Sequence, residues 1–247
     1  MLKNKVAIIT GGSRGIGRAI AQKFAENGAS LLLVALHEER LLQAKQEISE
    51  MGVRVDILYG DIAEPDFSQK ILARAIKLFG TIDILVNCAG TITRTPVVDL
   101  TLEDWHRVIN VNLNGTFYLS QAVLPSMCEK NYGKIINITS QMAKLPHPSA
   151  SPSYEVSKAG MIALTRHLAF HYAKYSICVN AIAPGSIDTD LPKSMSPEAR
   201  QRLKDAIPLQ RLGDPLEVGS LALFLASDNS NYITGATINI SGGSLMD

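Results

Sequence analysis

Apolar residues fall into short, nearly unbroken runs separated by longer stretches in which apolar positions recur every three or four residues. The runs are Val6–Thr10, Leu31–Ala35, Val53–Leu58, Ile82–Asn87, Lys134–Thr139, Cys178–Ala183 and Thr237–Ile240. They alternate little between polar and apolar, which predicts parallel strands covered on both faces. The stretches Gly15–Asn27, Glu38–Met51, Phe67–Phe79, Leu102–Lys130, Tyr154–Tyr175 and Pro215–Ser227 read as helices. Strand and helix alternate from end to end. The expected fold is therefore α/β, one domain over residues 1–247, with a doubly wound parallel sheet of about seven strands and helices on both faces. Residues 189–213, with Pro192, Pro197 and Pro208, form the least regular segment. They predict an excursion from the carboxyl end of the sixth strand, where such sheets carry lids.

Composition narrows the function classes. Apolar residues make up 46% and charged residues 19% of the chain, a balance that supports a packed core rather than disorder. Lys plus Arg number 24 and Asp plus Glu 23, a net charge of +1, so neither nucleic acid nor membrane is expected as a partner. No apolar run approaches the roughly 18 residues needed to span a bilayer, and the first run leads straight into a glycine turn instead of a signal cleavage site. Cys88, Cys128 and Cys178 lie far apart with no metal spacing, which predicts reduced thiols and a cytoplasmic protein. His167 and His171 sit four apart but lack the intervening glutamate of HExxH, so no metal is expected. Trp105 and Phe117 read as core residues.

The chemistry starts at the turn after the first strand. Thr10, Gly11, Gly12, Ser13, Arg14, Gly15, Ile16 and Gly17 join that strand to the first helix. Glycines there permit a tight turn and close approach of backbone to a pyrophosphate, and the helix N-terminus offers free N–H groups and the positive end of its dipole. Tyr154 and Lys158, four apart in a helical stretch, share one helix face. A tyrosine of ordinary pKa, about 10, exchanges protons poorly near neutrality, and a nearby ammonium favours its phenolate. Ser140 ends the fifth strand, at the edge where a doubly wound sheet binds its ligand.

TGGSRGIG, Asp61, the NCAG segment at residues 87–90, Asn112, Ser140, Tyr154 with Lys158, and Pro184-Gly185 occur in one order. That order resembles the short-chain dehydrogenase/reductase family over the whole chain, and within it the 3-oxoacyl-(acyl-carrier-protein) reductases. The resemblance implies a Rossmann fold and hydride transfer between nicotinamide and a carbonyl or secondary alcohol. It implies that Tyr154 carries the proton, that Lys158 tunes it and holds the nicotinamide ribose, that Ser140 orients the substrate, and that Asn112 supports a water path to the lysine. It assigns the cofactor, besides the residues of the glycine turn, to Asp61 and Ile62 after the third strand. Asn87, Ala89 and Gly90 after the fourth strand, and Pro184, Gly185, Ile187 and Thr189 after the sixth, complete that set.

NADP(H) is expected in preference to NAD(H). The second strand ends in Val34-Ala35-Leu36-His37, with no acid at Leu36 for a ribose 2′-hydroxyl, and Arg14 offers a fork for a 2′-phosphate. A homotetramer is expected from the family and from the two long apolar helices. Three departures from the family pattern stand out: Cys88 takes the place of a common asparagine at a position that varies, Ser241 replaces a common aspartate and bears on the end-of-chain contacts, and the Ser140–Tyr154 gap, one residue longer than the commonest spacing and holding Pro146, Pro148 and Pro152, loosens the substrate assignment. The arginines that dock an acyl carrier protein in the resembled reductases match Asn131 and Tyr175 here, leaving Lys130, Lys134 and Lys174 to supply positive charge. The alternatives are a catabolic alcohol, sugar or hydroxy-acid dehydrogenase, and a catalytically inactive nucleotide sensor. The intact Ser140, Tyr154 and Lys158 argue against the sensor.

Overall fold

The computed structural model describes residues 1–147, 150–190 and 195–246; Pro148 and Pro192 lie outside the described residues. The strands are β1 (Val6–Thr10), β2 (Ser30–Ala35), β3 (Val55–Tyr59), β4 (Ile84–Asn87), β5 (Gly133–Ile138), β6 (Ile177–Pro184) and β7 (Thr237–Ile240). They form one sheet in the order β3-β2-β1-β4-β5-β6-β7, and every pair is parallel. The helices are α1 (Gly15–Glu26), α2 (Glu38–Ser49), α3 (Pro65–Phe79), α4 (Leu102–Ile109), α5 (Gly115–Glu129), α6 (Pro152–Tyr172), α7 (Pro197–Asp205) and α8 (Pro215–Ala226).

Successive strand residues serve opposite cores, which is why the runs show no polar alternation. Ala7, Ile9, Leu31, Leu33, Ile84 and Val86 pack with α1, α2 and α8. Ile8, Leu32, Val34, Leu85 and Ile135 pack with α3, α5 and α6. Strands are added outward in one direction from β1 to β3 and in the other from β4 to β7, so a crevice opens between the carboxyl ends of β1 and β4.

The expected helix over residues 102–130 is two helices joined by a π-helical turn, Asn110–Asn114. Its apolar spacing runs through both, so periodicity hides the wider turn. The excursion after β6 is pinned at its base, where Asp188 N donates to Gly213 O at 2.8 Å and Gly213 N to Ser186 O at 3.0 Å, and it carries α7. Phe117 is 42% exposed on α5, against the expectation of a core residue, because its side of the helix faces away from the sheet.

Candidate active site

The glycine turn closes only with glycine. Gly11 and Gly15 have φ of +67° and +53°, and a Cβ on Gly17 would lie 2.2 Å from the Gly11 carbonyl oxygen. Arg14, the N-cap of α1, makes no side-chain cap bond, so the first-turn amides stay available to an anion. This cradle fits a dinucleotide pyrophosphate. Thr189 reaches it from the far side, its Cγ2 3.3 Å from where a Gly15 Cβ would be. The Arg14 guanidinium pairs with Asp190 at 3.1 Å, both side chains more than 60% exposed.

Sequence spacing marks Thr10 only as the residue before the turn, whereas in the structure its Oγ1 accepts from the backbone N–H groups of Cys88 and Ala89, both at 3.0 Å. The 87–90 segment is thereby held against the turn. Asn87 itself is turned inward: its Nδ2 donates to Asn137 Oδ1 at 2.9 Å and Ser120 Oγ at 3.3 Å, while its buried Oδ1 has no hydrogen-bond partner among the described residues. The side chains of Ile62 and Ile187 are likewise buried, Ile62 against Gly115 and Ile187 against Gly213. Leu36 is 57% exposed beyond β2. The Asp61 carboxylate accepts from Ala63 N at 2.9 Å. Gly185 follows β6 and donates to Ile240 O at 3.0 Å, where a Cβ would press within 2.9 Å of Ser241 Cα.

Asn112, Ser140, Tyr154 and Lys158 converge at the carboxyl edge of β4, β5 and β6. Ser140 caps a short 3-10 turn, its Oγ accepting from Met142 N at 3.1 Å, and its hydroxyl hydrogen-bonds the Tyr154 phenol. Lys158 is 4% exposed. Its Nζ donates to Ile138 O at 2.8 Å and lies 5.9 Å from the Tyr154 ring centre. Asn112 sits in the π turn, donating to Thr91 O at 2.9 Å and Ser157 Oγ at 3.0 Å and accepting from Thr91 N at 2.8 Å. Gly90 fits between these groups because it has no side chain: a Cβ would lie 3.2 Å from Asn112 Oδ1 and 3.4 Å from Lys158 Nζ.

The electrostatics depart from the expected lowering of the tyrosine by Lys158. Burial pushes the Tyr154 phenol above its usual range, outweighing the Ser140 hydrogen bond and the positive charge of Arg94, which both favour the phenolate. Burial also pushes Lys158 down to about 8 and the Cys88 thiol up to about 12. A lysine that titrates near neutrality beside a buried phenol suits proton exchange.

Sequence spacing gave no sign of two further contacts. Thr93 Oγ1 donates to Ser151 Oγ at 2.6 Å, and Ser151 and Ser153 hydroxyls meet at 2.8 Å, which ties the loop after β4 to the start of α6. Ser244 Oγ donates to Gln141 Oε1 at 2.6 Å, so the C-terminal segment packs beside the residue after Ser140.

The lysines expected to supply a carrier-docking patch are partly committed elsewhere. Lys130 pairs with Asp83 at 2.6 Å, and Lys134 is 1% exposed and donates to Asn231 Oδ1 at 2.7 Å. Lys174 lies over the Tyr175 ring. Among the described residues no three His, Cys, Asp or Glu side chains cluster as metal ligands, and no helix is long and apolar enough to cross a membrane. The His167 and His171 rings lie side by side, tilted by 47° with centres 4.4 Å apart.

Comparison with known proteins agrees with the geometry. The family described as Enoyl-(acyl carrier protein) reductase matches residues 11–244. A 3-oxoacyl-(acyl-carrier-protein) reductase of Thermotoga maritima is 38% identical over 242 residues, 98% of each chain. The solved structure of a 3-oxoacyl-(acyl-carrier protein) reductase with bound NAD from Brucella melitensis superimposes with a TM-score of 0.91 at 35% identity, covering 99% of this chain and 92% of that one. Levodione reductase superimposes with a TM-score of 0.95 at 30% identity over 98% of each chain. Fold, cradle and relatives together make this chain a member of the short-chain dehydrogenase/reductase family, an oxidoreductase that uses a nicotinamide cofactor.

Proposed function

We propose that the chain interconverts a ketone and a secondary alcohol on a small substrate, free or as a thioester, with NADP(H) favoured over NAD(H). The observation that carries this reading is the placement of the Tyr154 phenol against the Ser140 hydroxyl, one helical turn from Lys158, at the sheet edge beside the glycine cradle. A nicotinamide held there supplies or accepts the hydride. Ser140 donates to the carbonyl oxygen and fixes its place. Tyr154 gives its proton to that oxygen as negative charge builds on it, and takes the proton back in the oxidative direction. Lys158 holds the ribose and steadies the phenolate, and Asn112, locked between Thr91 and Ser157, keeps the path behind the lysine polar.

The second reading, reduction of a 3-oxoacyl group on acyl carrier protein, is supported by the names of the relatives. Lys130 and Lys134 weigh against tight carrier docking, because their charges serve internal contacts. A homotetramer fits the apolar side chains left exposed on the long helices, Phe117 on α5 with Val156 and Phe170 on α6. A cytoplasmic setting fits three free cysteines.

Nicotinamide absorbance over a panel of ketones, alcohols and 3-oxoacyl thioesters tests the reading. Turnover of small ketones or short thioesters supports it; a large preference for the carrier-bound group that vanishes in salt favours the second reading. A monomeric mass in light scattering at micromolar concentration refutes the tetramer.

A further inference from the structure

The chain that leaves β7 folds back on itself as a hook. Leu245 N donates to Ser241 Oγ at 3.2 Å, Ser244 N donates to Ser241 O at 3.2 Å, and the Leu245 side chain is buried. The hook lies over the end of β6, where Gly185 N donates to Ile240 O at 3.0 Å and a Cβ on Gly185 would come within 2.9 Å of Ser241 Cα. From there it reaches the residue that follows Ser140. Ser244 Oγ stands 2.6 Å from Gln141 Oε1 and 2.8 Å from Ser241 O, so the hydroxyl is held between the hook and the Gln141 amide. That amide also rests on Gly185, its Oε1 3.0 Å from where a Gly185 Cβ would be. In the sheet β6 lies between β5 and β7, so this one hydroxyl bridges the end of β7 to the turn after β5.

Gln141 opens the 3-10 turn Gln141–Ala143, and that turn aims Met142 N at Ser140 Oγ, 3.1 Å away. A serine hydroxyl has one proton and two lone pairs. Met142 N–H occupies a lone pair, which keeps the Ser140 proton off the backbone and free for the cleft, where the Tyr154 phenol already meets this hydroxyl. Holding the turn therefore holds the direction of that proton. A donor aimed beforehand at a developing oxyanion is worth most, because it need not reorganise during the reaction.

We propose that Ser244 is a positioning residue: through the Gln141 amide it fixes the turn that aims the Ser140 hydroxyl at the substrate carbonyl. The inference rests on the hydride-transfer reading above. The other attachments of the hook do not use the Ser244 side chain. Leu209 N donates to Gly242 O at 3.1 Å, and Ser241 Oγ bonds both the N–H and the carbonyl of Leu245. Ser244→Ala thus cuts the link to Gln141, with the bond of the same hydroxyl to Ser241 O, and leaves the hook in place.

The test measures kcat, KM, NADPH Kd and urea midpoint for wild type, Ser244→Ala, Ser244→Thr, Gln141→Leu and the double variant Ser244→Ala/Gln141→Leu, on the ketone that wild type turns over best. Ser244→Ala is expected to lower kcat about tenfold, short of the roughly hundredfold that misplacing a group by about 1 Å can cost. KM and NADPH Kd stay within about twofold, the mark of an interaction that matters only in the transition state. Ser244→Thr keeps the hydroxyl and recovers most of the loss. Gln141→Leu shows the same loss, and the double variant loses no more than either single one, because all three cut one link. Losses that multiply in the double variant overturn the inference. So does a Ser244→Ala variant that keeps its kcat, changes KM alone or is not matched by recovery in Ser244→Thr. A loss of folded protein that accounts for the lost activity also overturns it, since the hook would then hold the fold and not the turn. Each of these leaves hydride transfer by wild type standing, whereas no turnover of any compound by wild type sinks both.

Discussion

Lys158 donates from its Nζ to the carbonyl oxygen of Ile138 across 2.8 Å, tying the buried amine to the last residue of β5, two positions before Ser140. One side chain thus couples the helix that carries Tyr154 to the strand that leads into Ser140. Lys158→Ala is expected to lower kcat and to weaken cofactor binding together. Stopped-flow rates and fluorescence titration with NADPH measure the two effects, and an unchanged cofactor Kd would limit the lysine to tuning the phenol.

Tyr154→Phe removes the proposed proton carrier and keeps the ring that fills the same space. The expected loss in kcat is about 10² to 10⁴, the usual contribution of a general acid–base group. Cofactor Kd should change little. A variant that keeps more than about a tenth of wild-type kcat would remove Tyr154 from that role, given the scale of such contributions.

Lys158 also leaves a mark on stability. Its folded value of about 8 lies below the ordinary 10.5, so between these limits the unfolded chain holds a proton that the folded chain has released. Stability of wild type relative to Lys158→Met should therefore rise with pH across that window, by at most about 1.4 kcal/mol per pH unit. Cys88, held up at about 12 against an ordinary 9.0, acts with the opposite sign above pH 9 but is common to both proteins. Urea midpoints at pH 7.5, 8.5 and 9.5 decide it; a flat difference would mean that the amine is hydrated in the folded state.

The Cys88 thiol should resist alkylation. Cys88 as a residue is only half-buried, but desolvation of its thiol holds it up at about 12, so at pH 8 almost none is thiolate. Peptide mapping after iodoacetamide treatment should find Cys88 unmodified in native protein and modified in guanidinium. Native labelling at the rate of a free thiol would show an open cleft at Gly90.

The proposed preference for NADP(H) rests on Arg14. Its guanidinium lies 3.1 Å from Asp190, an exposed partner that a 2′-phosphate must displace or share. The ratio of kcat/KM for NADPH over NADH should exceed one in wild type, rise in Asp190→Asn and fall about tenfold in Arg14→Ala, the scale of one charge-assisted pair. Equal or better kcat/KM with NADH in wild type would overturn the preference.

The strands were legible because most runs are nearly continuous in apolar residues, and β1 and β7 match their expected bounds, whereas the run interrupted by Arg54 and Asp56 yields β3 two residues late at Val55. The glycine turn and Ser140 were marked by their places after strand ends, and Tyr154 and Lys158 by their four-residue spacing on a helix together with the family resemblance. What stayed hidden depends on partners distant in sequence: Thr93 with Ser151 across 58 positions, and Gln141 with Ser244 across 103. No local pattern encodes such pairs. Lys134 misled for a related reason, since a lysine reads as surface until Asn231 is found folded over it.

The π turn at Asn110–Asn114 holds one residue more than the ordinary α turn it replaces. Removing one residue there would restore α spacing and leave the helix beyond it nearly in phase, so Leu119, Val123 and Met127 would keep their places against the sheet. What would change is the turn itself, where Asn112 would lose its seat between Thr91 and Ser157. The extra residue therefore serves the placement of one side chain at the site and not the packing of the helix that carries it.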